Sequence, residues 1–284
     1  MTFFITQAIN GIVFGMLLFL LAAGMTLILG TMRIVNLAHG SFYLLGGYIG
    51  YSVAQYTQSF TLACLAAVAI AVLGIITYKT LFEKKFARET VAQVLITFGM
   101  LLIISDVCRW IWGGNPLASP KPELLSGTLH LGDIVFPVYR LAVIVIGVLI
   151  LAFLWWFQEK TKYGAIVRAG VDDEEMTQGI GINISLVKTL IFSLGALLAG
   201  FAGVIGGPFV GLSVGLDIEI LLLAMVVVII GGMGSLKGAL VGALLIGLVD
   251  SFGKSLLPEI SLFTIFAAMV IVLAIRPGGL FGVK

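Results

Sequence analysis

The sequence predicts an all-α polytopic membrane protein, a bundle of about eight or nine transmembrane helices, and three observations carry this. Hydrophobic residues make up 60% of the 284 positions and charged residues only 11%, with a mean hydropathy of +1.18; soluble domains run near half apolar. Apolar runs recur along almost the whole chain, each long enough to cross a hydrocarbon core of about 30 Å. No stretch shows the alternating polarity, about ten residues long, of a transmembrane β-strand.

Nine candidate spans follow from these runs: 8–30, 34–56, 61–81, 91–112, 138–157, 188–210, 217–232, 239–254 and 260–275. The first has no Lys or Arg before it, so it lacks the charged region of a cleavable signal peptide and should stay as a helix. The next boundary, "TMRIVNLAHGS" (Thr31–Ser41), puts Arg33, Asn36, His39, Gly40 and Ser41 between apolar flanks. Segments interrupted in this way, near 30–40 and 231–238, are expected to be broken or re-entrant. "EKKFARE" (Glu83–Glu89) separates the third and fourth spans. The fourth carries Asp106 and Arg109, three apart and expected to neutralise each other. The connection 113–137 holds Pro116, Pro120, Pro122 and Pro137, and the polar stretch from Gln158 to about Leu186 follows the fifth span.

Glycine is the compositional oddity: 36 copies, about 13% against an average near 7%. Small residues let helix backbones approach closely in lipid. The stripe Ala199, Gly203, Gly207 and the run Gly231, Gly232, Gly234, Gly238, Gly242 are therefore expected to pack helices or to act as hinges. Asp217 and Glu219 open the seventh span, where negative charge complements a helix N-terminus, and Asp250 should snorkel or face a neighbour. None of these acids is expected at mid-membrane.

Charge distribution sets the orientation. With 158–186 in the cytoplasm, that side receives Arg33, Lys79, Lys84, Lys85, Arg88, Lys160, Lys162, Arg168, Lys188, Lys237, Arg276 and Lys284; the outer side receives Arg109, Lys121, Arg140 and Lys254. By the positive-inside rule the N-terminus is outside and the C-terminus inside. Cys64 and Cys108 lie inside apolar runs without CxxC spacing, which suggests reduced packing residues rather than a metal site or disulfide.

Two motifs invite over-reading. "GLVDSFGKS" (Gly247–Ser255) has five residues rather than four between Gly247 and Gly253 and no preceding strand, so it does not fit a phosphate-binding loop. "GGMGSLKG" (Gly231–Gly238) lacks both the spacing and the βαβ context of a dinucleotide site. No catalytic and no metal-binding set is expected.

"YGAIVRAGVDDEEMTQGIGINIS" (Tyr163–Ser185) reads as a short charged helix, with Arg168 and Asp172 at i, i+4 and Gly179 and Gly181 closing it. Gly164, Arg168–Ala169, Asp172–Asp173, Met176 and Gly181–Ile182–Asn183 resemble the ATPase-contacting loop of branched-chain amino acid ABC importer permeases. "NLAHGSFYLLGGYIG" (Asn36–Gly50), "GGMGSLKGALVGALLIG" (Gly231–Gly247) and "RPGGLFG" (Arg276–Gly282) resemble further signatures of that family in the same order. The likeness is nearest to the smaller permease of the pair that such importers use. Thr177 stands where the loop usually has alanine, and Gly179 replaces a bulkier apolar residue.

The resemblance implies one permease domain over 1–284 with a coupling loop at about 158–187, in a bacterial inner membrane. It implies three kinds of partner besides the bilayer and no nucleic acid: a second permease subunit, two cytoplasmic ABC ATPases and a periplasmic substrate-binding protein. ATP and Mg would be used by the ATPases, and this chain would bind no cofactor and catalyse nothing. Branched-chain amino acids are the family's default cargo; urea, short amides and aromatic acids are carried by relatives. Other classes are a carrier or channel working alone, and an intramembrane enzyme using His39 and Ser41, which a separation of two would put about 200° apart on a helix. Asn36, His39, Gly40 and Ser41 are the candidates for the substrate pathway or its gate, and for Asn36 and His39 an interhelical polar knot stays open as well.

Overall fold

The computed structural model describes residues 2–83, 89–131 and 134–282. Lys84, Lys85, Arg88 and Lys284, used above for orientation, lie outside the described residues. Helices dominate because backbone polar groups without water must be satisfied within their own segment. α1 is Thr2–Met32, α2 His39–Thr57, α3 Phe60–Ala66 and α4 Val68–Thr77, extended by a π-helical turn over Tyr78–Glu83. After α5 (Thr90–Trp112) comes an antiparallel hairpin, β1 (Thr128–Leu131) with β2 (Ile134–Pro137), Leu129 opposite Phe136. Then follow α6 (Val138–Lys160), α7 (Lys162–Asp172), α8 (Glu174–Gly179), α9 (Ile184–Val210), α10 (Leu216–Gly231), α11 (Leu236–Leu256) and α12 (Ser261–Ile275).

Each expected span contains helix, the second only from His39 onward, and among the described residues seven helical stretches are long and apolar enough to cross a membrane. The chain is a multi-pass membrane protein. α2 and α10 fall outside the seven. α10 has 16 residues, a length of about 24 Å, and α2 opens on polar and glycine-rich sequence.

α1 is the axis of the bundle. Every residue from Gly15 to Ile28 is buried, the mark of a helix that is apolar all round and enclosed by others. α6, α9, α10 and α11 pack around it, and α2 lies against α9. The approaches are made by backbone. A Cβ on Gly203 would collide with the carbonyl oxygen of Tyr43, and one on Gly46 with the backbone of Gly200. Gly247 meets Gly11 and Gly15 in the same way, and Gly231 meets Gly238. Gly242 faces the Val227 carbonyl, Gly207 lies beside Ser119, and Ala199 is fully buried.

Both expected interruptions are present. α1 stops at Met32; Arg33 is exposed and takes a left-handed φ of 53°, and residues 33–38 are not helical. Arg33, Asn36 and Gly40 therefore do not share one helical face. Between α10 and α11 the chain turns at 232–235, with φ +98° at Gly232 and +83° at Gly234. The terminal segment closes this turn: the N–H groups of Leu280 and Phe281 donate to the carbonyls of Ile230 and Gly231 at 2.8 and 3.0 Å. Carbonyls at a helix end, otherwise without intrahelical partners, are satisfied by the far end of the sequence. Asp106 and Arg109 are both exposed and, among the described residues, form no ion pair. Asp250 pairs with Lys254 at 2.9 Å.

Gly203→Ala should destabilise the bundle by about 1–3 kcal/mol, the cost of overpacking a crossing that cannot open. Gly99→Ala on α5, with nothing near its Cβ, should be neutral or stabilising by up to about 1 kcal/mol through helix propensity. Thermal unfolding of both variants in detergent checks the contrast; equal melting would refute the backbone-contact account.

Candidate functional site

Sequence from Asn36 to Ser41 builds a polar centre inside the bundle. Asn36 Oδ1 accepts from the Ala38 N–H at 3.1 Å, and its carbonyl accepts from the His39 N–H at 3.3 Å. This local side-chain turn is what asparagine supplies, and it starts α2 abruptly. His39 Nε2–H donates to the Leu21 carbonyl of α1 at 3.1 Å. Leu21 lies eleven residues before the end of α1, about 16 Å along its axis, so α2 begins deep within the bundle.

Two residues on, Ser41 Oγ lies 3.2 Å from Asp217 Oδ2 and 3.4 Å from the Leu101 carbonyl, sharing one proton between them. Leu101 is the central residue of α5. Asp217, at the start of α10, is therefore also at mid-depth, and it is fully buried. This overturns the expectation that no acid sits there: its position near a helix start suggested a boundary, but α10 is short and begins inside. Gly40 admits the contact, since a Cβ there would strike the Asp217 carbonyl.

Around this centre, four buried polar atoms have no hydrogen-bond partner among the described residues: Asn36 Nδ2, His39 Nδ1, Tyr48 Oη and Asp217 Oδ1. Unsatisfied buried groups cost free energy, and a group of them marks a place built for more than packing. Tyr48 stacks on Trp112 of α5 with centroids 5.0 Å apart, and Trp112 Nε1–H donates to Ser52 at 2.7 Å. Tyr48 and Cys108 lie within electrostatic reach of Asp217. His39 and Ser41 bond in different directions, so no base–nucleophile pair forms between them.

At the bundle end opposite α7 and α8, a cleft of about 320 Å³ gathers Arg140, Lys254, Glu219, Asp250, Asn10 and Gln7. Arg140 donates to Asn10 Oδ1 at 2.5 Å and sits over the Phe209 ring at 5.2 Å. Sequence reasoning missed this cluster, because its members are scattered over four helices and meet only in the fold.

The coupling-loop candidates lie apart from both. α7 is capped by Thr161, which accepts from the Gly164 N–H at 3.1 Å, and a Cβ on Gly164 would strike the end of α6. Arg168 donates to the Gln158 carbonyl, tying α7 back to α6. The side chain of Asp172, expected to pair with Arg168, lies outside the described residues. Asp173 ends α7, its N–H bonded to the Ala169 carbonyl, and caps α8 by accepting from the Met176 N–H at 2.9 Å. The loop is thus two short helices rather than one. Gly181, at φ +88°, turns the chain away after α8, whereas Gly179 is the last helical residue. Met176 and Ile180 stand 69% and 70% exposed beside it.

Comparison with known proteins bears on the whole chain. Residues 7–275 match the family described as "Branched-chain amino acid transport system / permease component". The high-affinity branched-chain amino acid transport system permease protein BraD of Pseudomonas aeruginosa is 26% identical, over 98% of this chain and 96% of its own length. The probable branched-chain amino acid transport permease protein LivH of Methanocaldococcus jannaschii is 28% identical over 96% and 91%, and the ribose import permease protein RbsC of Escherichia coli 28% over 90% and 80%. A solved structure, PsaBC from Streptococcus pneumoniae in complex with Fab, shares the fold with a TM-score of 0.54 at 13% identity, over 95% of this chain and 91% of that one. With its helices, its two interruptions and nearly its full length accounted for together, the chain belongs to the family of branched-chain amino acid transport permeases.

Proposed function

We propose that this chain is one permease subunit of an ABC importer for branched-chain amino acids, forming half of the pathway and driven by cytoplasmic ATPases. The observation that carries the reading is the α7–α8 pair. A family permease that holds apolar Met176 on capped α8, and Ile180 just past its end, out in solvent presents what a groove of a soluble partner would cover. Arg168 and Asp173 serve this contact indirectly, by fixing α7 to α6 and by starting α8. In this reading α7–α8 face the cytoplasm, the N-terminus is outside, and a second permease, two ATPases and a binding protein complete the assembly. ATP and Mg are used on the ATPases.

The substrate reading draws on the cleft beneath the outer surface. Arg140 and Lys254 offer positive charge and Glu219 and Asp250 negative charge around a volume suited to a small zwitterion. The polar centre at His39, Ser41 and Asp217 would lie further along the route, with its unpartnered atoms available to solute or water. Ribose, urea, short amides and aromatic acids are the other cargoes to be tested against it.

Buried Asp217 favours one second reading, because ion-coupled carriers place acids at mid-membrane. Uptake by purified protein in liposomes without any ATPase would establish that reading and sink the first.

Met176→Asp with Ile180→Asp should abolish ATPase co-purification and uptake while the bundle melts normally; retained co-purification would remove α8 from the interface. Asn36→Ala should cost about 1 kcal/mol through the lost turn and lower the melting temperature. His39→Ala should leave ATPase assembly intact and cut uptake by tenfold or more. If His39→Ala instead prevents folding, the residue belongs to an interhelical knot and not to the pathway.

A further inference from the structure

A cavity of about 900 Å³ opens beside the α6–α7 junction, between α1, α6, α7 and α11. Its wall is apolar and open to the surroundings of the bundle. Val148 and Ala152 of α6 and Leu240 and Val241 of α11 line it, and Val148 and Val241 are 47% and 38% exposed. Its mouth is charged: Arg168 from α7 and Lys237 from the first turn of α11 lie there, with Glu159 at the end of α6. Lys237 is exposed and has no ion pair or hydrogen bond among the described residues. Arg168 spends one donor on the Gln158 carbonyl, and a guanidinium has five. Trp155, half-exposed on the cavity wall with Lys160 Nζ 5.9 Å from its ring centroid, is the kind of residue that marks the level of lipid headgroups.

We propose that this cavity holds one anionic phospholipid, with its phosphate between Arg168 and Lys237 and an acyl chain in the groove between α6 and α11. A groove that is apolar toward the bilayer and cationic at the interface matches such a molecule in order as well as in charge. Glu159, exposed at the rim, can accept a hydrogen bond from a headgroup hydroxyl, while Arg168 and Lys237 set the preference for a lipid of net negative charge. The occupant would bridge two elements: the helix that starts the loop, and the helix that follows the Gly232–Ser235 turn. Lipid charge would then set how firmly α7 is held to the bundle. The inference needs only the bilayer, and stands whichever cargo or energy source the protein uses.

The test uses the full chain, delipidated in mild detergent and titrated with phosphatidylglycerol or phosphatidylcholine, with bound lipid counted by native mass spectrometry. Phosphatidylglycerol should be preferred, and the preference should fall about fivefold in Lys237→Gln and about twenty-five-fold in Arg168→Gln with Lys237→Gln, following roughly one fivefold step per cation. Ala152→Trp, which fills the groove and leaves both cations, should also lose it with helicity unchanged by circular dichroism. Equal binding of the two lipids would overturn the proposal, as would a preference untouched by Lys237→Gln. Inorganic phosphate binding that depends on both cations but ignores Ala152→Trp would overturn the lipid in favour of a free anion. Should the double variant fail to fold, Lys237→Gln and Ala152→Trp decide alone.

Discussion

Backbone-to-backbone contact between helices is the constraint on which the architecture depends. Lipid tails are as apolar as leucine, so association inside a membrane relies on close packing and hydrogen bonds rather than on water exclusion. α1 can be enclosed on all sides only because α9 and α11 approach it without intervening side chains. The pairs Gly24–Gly195 and Gly247–Gly15 are the places where this happens. The same device lets α2 press on α9 at Gly46–Gly200, which holds the start of α2 where His39 can reach Leu21. Packing at one layer thus determines the geometry of the polar centre at the next.

Much of this was legible in the sequence. The apolar runs gave the helices, and the two interruptions fell where glycine and polar groups broke them. What escaped was depth. Asp217 follows Gly215 and precedes a long apolar run, a pattern that reads as a helix emerging at a surface. Nothing local says that α10 is only 16 residues long and starts beside the midpoint of α5. The cleft around Arg140 escaped for a related reason, since Asn10, Arg140 and Glu219 are neighbours only after three helices have packed.

The α6–α7 junction shows how a loop can be mechanically continuous with a bundle. Gly164 allows α7 to sit against the last carbonyls of α6, Thr161 caps it, and Arg168 holds it there. A force applied at α8 is passed through a joint with little slack. The Asp173 kink separates this fixed part from the presented part, so composition at a single residue divides anchoring from contact.

The abrupt start of α2 has an electrostatic consequence. α2 and α10 run in opposite directions, yet both begin within a turn of Asp217, so two helix N-termini converge on one spot. Each end carries the equivalent of about half a positive charge, and together they come to about one. The carboxyl group of Asp217 thus sits where the folded backbone itself places positive charge. Among the described residues no cationic side chain bonds to it, and the ends of two helices supply the complement instead.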